Sequence, residues 1–253
     1  MSYLVNKLKK RVKSIFLYDY FFSKKEERKV TRIIYAVGDS HTSVFTGLGS
    51  KEYQYMQPEW PDEGINTINH FKAYRIGAVT AYNSFNKIGT IKKILNFKST
   101  NFDKKNDILL MCFGEIDVRA HIQKQARLKN ITVEQSTDCC VKRYHQTIKA
   151  VKNLGCNVVV WGVIASTPLD KISEDIPVIG NCIERNEITR IFNRKIAGVC
   201  QMFDIPFFSI FEHMIDEKGF TIDNFLMDGF HLSQTAIPII NNILSPIIKF
   251  KND

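Results

Sequence analysis

The runs IIYAV (33 to 37), DILLMCF (107 to 113), NVVVWGVIA (157 to 165) and IPFFSIF (205 to 211) are apolar, rich in β-formers and too short for helices. Helix-length segments stand between them. Strands buried on both faces read this way, and strands that alternate with helices form a parallel sheet covered on both sides. The sequence therefore predicts an α/β fold. Helical periodicity marks 88 to 97, about 132 to 154 with Gly155 as its stop, 182 to 203, and a mostly apolar C-terminal helix with Pro238 near its start. A further strand, turn and helix is predicted around Gly77, within HFKAYRIGAVTAYNSF, whereas SKEYQYMQPEWPDEG (50 to 64) reads as a loop. Ligands of such sheets gather beyond the C-terminal ends of the strands. The turns GDSH (38 to 41) and GEID (114 to 117) and the Gly77 region are all expected on that edge.

A chain of 253 residues can bury a full core, and a single domain is expected over residues 33 to 253. The net charge of +9 is concentrated at one end. Residues 1 to 32 carry ten Lys/Arg against three Asp/Glu, so seven of the nine charges lie there and the remainder is close to neutral. No nucleic-acid groove is expected on so neutral a body. In the basic arm Leu4, Val5, Leu8, Val12, Ile15 and Phe16 recur at helical spacing between lysines. Two readings of residues 1 to 32 stay open: an amphipathic helix on an anionic membrane surface, or a helix docked on its own domain. Six cysteines without a C-x-x-C pair and no uninterrupted leader core (Asp19 breaks the candidate) point to a reduced, cytoplasmic chain, peripheral to the inner face of the membrane if the arm binds lipid. No apolar run reaches the roughly 20 residues of a membrane span.

The residues with chemistry to offer lie in the turns. Ser40 follows a predicted strand and Gly38, which suits a sharp turn, so it can be either a nucleophile or a helix-capping serine. Near the other end, MDGFHLS sets Asp228 three residues before His231, the spacing at which a carboxylate can hold an imidazole that acts as general base. No clustered His/Cys spacing suggests a metal, and no cofactor is expected.

Gly38-Asp39-Ser40, Gly77, the Gly114 turn and Asp228-x-x-His231 together, in this order, resemble the SGNH or GDSL-like hydrolase family from about residue 33 onward. The resemblance implies a flavodoxin-like three-layer α/β/α sandwich around a central parallel sheet. It also implies Ser40 as nucleophile, His231 as base and then acid, Asp228 as the residue that orients His231, and the N–H groups of Ser40 and Gly77 as oxyanion donors. Asp39, Glu115, Asp117 and Arg119 are the expected substrate-binding residues.

One position departs from the family pattern. Where the family has Gly-x-Asn-Asp, this chain has Gly114-Glu115-Ile116-Asp117, so the asparagine that gives a third oxyanion donor is replaced by Ile116. Loss of one such donor costs roughly 2.7 to 4 kcal/mol of transition-state stabilisation. The GEIDVR block resembles a branch of the superfamily associated with bacterial surface polysaccharide biosynthesis. The expected activity is that of a serine esterase, deacetylase or acyl-group transferase acting on an acylated carbohydrate or another small ester. The alternative is a non-catalytic or altered-chemistry member that keeps the pocket to bind a glycan.

Overall fold

The computed structural model describes residues 32–47, 62–63, 70–96 and 101–249. The basic arm, apart from Arg32, lies outside the described residues, as does most of the 50 to 64 segment. Six strands form one sheet: β1 (Ile34–Gly38), β2 (Asp62–Glu63), β3 (Phe71–Arg75), β4 (Ile108–Cys112), β5 (Asn157–Trp161) and β6 (Phe207–Phe208). Their order is β2-β3-β1-β4-β5-β6, parallel throughout except for β2, which runs against β3 at the edge. The first described strand thus sits inside the sheet and the chain winds outward from it in both directions, which is the flavodoxin-like arrangement.

Alternation along each strand sorts the side chains into two cores. Tyr35, Val37, Leu109, Met111, Val158 and Val160 face the helices α1 (Ile88–Asn96), α3 (Val133–Lys152) and α4 (Cys182–Met202) through residues such as Ile91, Tyr144, Ile148 and Phe192. Ile34, Ala36, Ile108, Leu110, Val159 and Trp161 face the opposite way. They pack on Val44 and Phe45 and on Ile240 and Leu244 of α5 (Ile237–Lys249). This is a three-layer α/β/α sandwich. Phe45 anchors the second layer, stacked on Phe71 at 4.5 Å and edge-on to Trp161 at 5.3 Å.

Helix ends follow local chemistry. Thr132 and Gln135 form a capping box at the start of α3, and Asn181 and Glu184 form another at the start of α4. Gly155, at φ 73°, takes the left-handed conformation just past α3. Two expectations change. The segment after Ser40 is a 3-10 helix, Ser40–Thr46, rather than an α-helix. The GEIDVRAH turn does not stay a turn: after Ile116 it winds through a π-helical stretch, Asp117–His121, into α2 (Ile122–Lys129). No described helix is long and apolar enough to cross a membrane.

Candidate active site

Because the strands are parallel, the chain leaves β1, β3, β4 and β5 at the same edge of the sheet. There Gly38 serves close packing, not a sharp turn. A Cβ at this position would lie 1.9 Å from the carbonyl oxygen of Cys112, so only glycine lets β1 run against β4 at its last residue. The backbone then seats the neighbouring turns, with Asp39 N donating to Cys112 O at 3.2 Å and Ile76 N to Gly38 O at 2.9 Å. The residue after Ile76 is Gly77, at φ 97°, where a side chain would be strained even though its Cβ would meet nothing within 4 Å.

The helix start is capped by Asp39, not by Ser40. Its carboxylate accepts from His41 N at 3.0 Å and its carbonyl from Thr42 Oγ1 at 2.8 Å. That leaves the Ser40 hydroxyl for another partner. Ser40 Oγ lies 3.1 Å from Nε2 of His231, and Nδ1 of the same ring lies 2.7 Å from Asp228 Oδ2. The other carboxylate oxygen of Asp228 accepts the backbone N–H groups of His231 at 2.7 Å and Phe230 at 3.2 Å. These bonds fix the acid and with it the imidazole.

Electrostatics follow from this packing. Burial would raise the carboxyl of Asp228, but the hydrogen bonds from His231 and Phe230 outweigh it and hold the group well below its ordinary value. Burial also pushes the His231 imidazole below its ordinary value, with the neighbouring His41 acting in the same direction and Asp228 and Glu115 against it. A neutral imidazole beside a serine hydroxyl can accept its proton.

The four residues expected to bind substrate are all buried and all engaged by the protein. Asp39 is the cap just described; desolvation lifts its carboxyl to about 6. Asp117 turns to the segment after Gly77, taking the N–H groups of Ala81 and Tyr82, at 3.3 Å for the latter, and the Cys140 thiol at 3.2 Å. These contacts tie the start of the π-helical stretch to the segment after Gly77 and to α3. Glu115 accepts from Arg119 Nε at 2.6 Å, and Arg119 also donates to the Pro177 carbonyl and lies over the Phe230 ring at 5.9 Å. Burial works against the Glu115 carboxylate, yet His41 and Arg119 bring it down to about 2. Ile116, half-buried at the first turn of the π-helical stretch, has no donor to offer.

Two features escaped the sequence. His41, beside the nucleophile candidate, is buried with its ring 5.6 Å from that of His231 and Nε2 3.7 Å from Glu115 Oε2. Its place in GDSH was the one available signal. Arg185 is fully buried, and among the described residues no carboxylate pairs with it. It donates to Ser166 Oγ at 3.2 Å, to the carbonyls of Thr167 at 2.6 Å and Leu169 at 2.9 Å, and to Gly180 O. It thereby holds the loop between β5 and α4, which Thr167 joins to the Asp228 loop through a bond to Gly229 O. Nothing in the spacing of Arg185 distinguishes it from its neighbours on α4.

Among the described residues no group of three or more His, Cys, Asp or Glu is arranged to hold a metal ion. A search of curated proteins finds no match. Among solved structures, the chain is similar to a GDSL-like lipase from Bacteroides thetaiotaomicron VPI-5482, at 13% identity and TM-score 0.52 over 89% of this chain and 91% of that one. It is also similar to a protein of Bacteroides fragilis NCTC 9343 described as a candidate acylhydrolase, at 11% identity and TM-score 0.53 over 87% and 91%. Such likenesses speak for the fold. The sequence itself matches the GDSL-like lipase/acylhydrolase family over residues 34–244, a span that holds the serine, aspartate and histidine brought together at the edge of the sheet. The chain belongs to the GDSL-like lipase/acylhydrolase family of ester-hydrolysing enzymes.

Proposed function

We propose that Ser40 is the nucleophile of an acyl-transfer reaction on a small ester of a polar, carbohydrate-containing alcohol. The observation that carries this reading is the unbroken chain of contacts from Ser40 Oγ through His231 to Asp228, 3.1 Å and 2.7 Å. His231 accepts the proton as Oγ adds to the ester carbonyl, and returns it to the departing alcohol, leaving an acyl group on Ser40. Asp228 keeps Nδ1 protonated and stabilises the imidazolium formed in between. Water entering next gives hydrolysis, and a second alcohol gives transfer; the same groups serve both. The N–H groups of Ser40 and Gly77 take the developing oxyanion. For the alcohol, the reading rests on the resemblance of the GEIDVR block to the polysaccharide-associated branch.

A fluorophosphonate probe tests the nucleophile. Wild-type protein should be labelled, Ser40→Ala and His231→Ala should lose labelling and turnover of a short acyl ester, and Asp228→Asn should keep a remnant. Labelling of Ser40→Ala at the wild-type rate would sink the assignment. A comparison of acetylated sugars with p-nitrophenyl esters of increasing chain length addresses the alcohol, and a preference for long acyl chains on simple alcohols would turn the reading toward lipids. The second reading, a glycan-binding protein with little turnover, is favoured by Ile116 alone. It predicts saturable sugar binding by wild-type protein that the probe does not label.

A further inference from the structure

Behind Ser40 lies a second imidazole–carboxylate couple that the proposed chemistry leaves unused. His41 is 4% exposed, and among the described residues neither ring nitrogen has a partner within hydrogen-bond distance or a path to solvent. An orphaned imidazole in a protein interior calls for an explanation. A substrate cannot reach those nitrogens as they stand, so hydrogen bonding to substrate is a poor one. Charge is a better one, because electrostatic influence crosses a few ångströms of low-dielectric interior without contact.

The surroundings of His41 favour its cation. From its own turn Asp39 faces it, and from the turn after β4 Glu115 lies 3.7 Å from Nε2, too far for a hydrogen bond but within ion-pair range. Arg119, from the same segment, opposes the cation but is itself bound to Glu115 at 2.6 Å. Burial works against protonation, and the two carboxylates overcome it, so the imidazole stands above its ordinary value. The ring of His231 lies 5.6 Å away. Facing His231 are Asp228 from its own loop, Ser40 and His41 from the turn after β1, and Glu115 from the turn after β4.

We propose that His41, held by Glu115, is a positioning residue that acts through its positive charge to keep His231 unprotonated and ready to accept the serine proton in mildly acidic solution. The inference rests on the reading of His231 as the base. It assigns a job to two buried residues at once, the histidine after the serine and the glutamate after Gly114. An ordinary histidine base would begin to lose function as the pH falls toward 6.5. Here the acid limb of the reaction lies lower, because protonating His231 would set two cations side by side.

The test is a histidine titration by NMR on the full chain with 15N-labelled imidazoles, with His41→Gln and His231→Gln used to assign the two rings. In wild-type protein His41 should be doubly protonated at neutral pH while His231 is neutral. In His41→Gln the titration of His231 should move up by about one pH unit, the scale expected from a charge within 6 Å in a partly screened site. The acid limb of fluorophosphonate labelling should move with it, whatever happens to the alkaline plateau. A residue that merely filled space would lower the plateau and leave the limb where it was. A neutral His41 at pH 7 in the wild type overturns the proposal, as does an unmoved His231 in the variant. The wild-type measurement decides the matter even if His41→Gln does not fold. Titration needs no turnover, so failure of the esterase reading shows in the labelling arm alone.

Discussion

Arg119 and Glu115 form an ion pair that is almost wholly withdrawn from water. A pair of this kind stabilises little relative to apolar residues, but breaking it is expensive because one charge remains buried. Arg119→Ala also strips the Pro177 carbonyl of its donor. We expect a loss of about 3 to 5 kcal/mol in urea unfolding, and a smaller loss for Glu115→Gln combined with Arg119→Met, since neither member of the pair is then left charged without the other. Equal losses would mean that the pair matters for shape rather than charge. The comparison also marks what a sequence can reveal at this scale. Asp228 and His231 lie three residues apart, so their contact was legible from spacing, and Ser40 followed from the order of the motifs. Beyond the Glu115 pair, Arg119 reaches Pro177, 58 positions away, and His41 reaches Glu115, 74 positions away, contacts that only folding brings about. The internal partners of the charges in GEIDVR, in the segment after Gly77, on α3 and at Pro177, were equally out of reach of spacing.

Gly38 and Gly77 lie on neighbouring strand exits, yet they are glycines for different reasons. Gly38 faces the Cys112 carbonyl with no room for a methyl group, and Gly77 has room but a positive φ. Gly38→Ala should therefore force β1 from β4 and prevent folding, while Gly77→Ala should fold with a loss of about 1 to 2 kcal/mol from backbone strain. Thermal unfolding of the two variants distinguishes these origins, and similar Tm values for both would show that the close approach at Gly38 relaxes easily. Elements with strong local signals were readable: α3 and α4 begin at capping boxes and stay within two residues of their sequence-based limits. Weak signals misled. α2, IQKQARLK, has too few apolar residues to declare itself and is held by packing against α3, through Ile122 and Ala126 and the bond from Ser136 Oγ to the Ile122 carbonyl. The expected strand over 205 to 211 shrinks to Phe207–Phe208, an edge strand that pairs with β5 alone among the described residues.

Across the whole molecule, buried acids set how stability responds to pH. Desolvation lifts both Asp39 and Asp117 from about 3.8 to about 6, so the native state holds protons that the unfolded chain releases between those values. Stability should fall as pH rises from about 4 to about 6 and then level off, each group contributing at most about 1.4 kcal/mol per pH unit. Glu115, lowered to about 2, acts in the opposite sense and costs stability as pH drops below about 4.5. Asp117→Asn should flatten the first slope in urea titrations across that window, and an unchanged slope would mean that Asp117 is ionised in the native protein throughout. The loop from Thr167 to Gly180 adds a consequence of another kind. Arg185 grips it at three carbonyl oxygens, those of Thr167, Leu169 and Gly180, and at only one side chain. Main-chain oxygens are the same whatever residue bears them. Mutations along 168 to 179 can therefore accumulate without loosening the anchor, and the stretch that runs beside Gly229 and the His231 loop is free to diversify over generations while the machinery next to it is inherited intact.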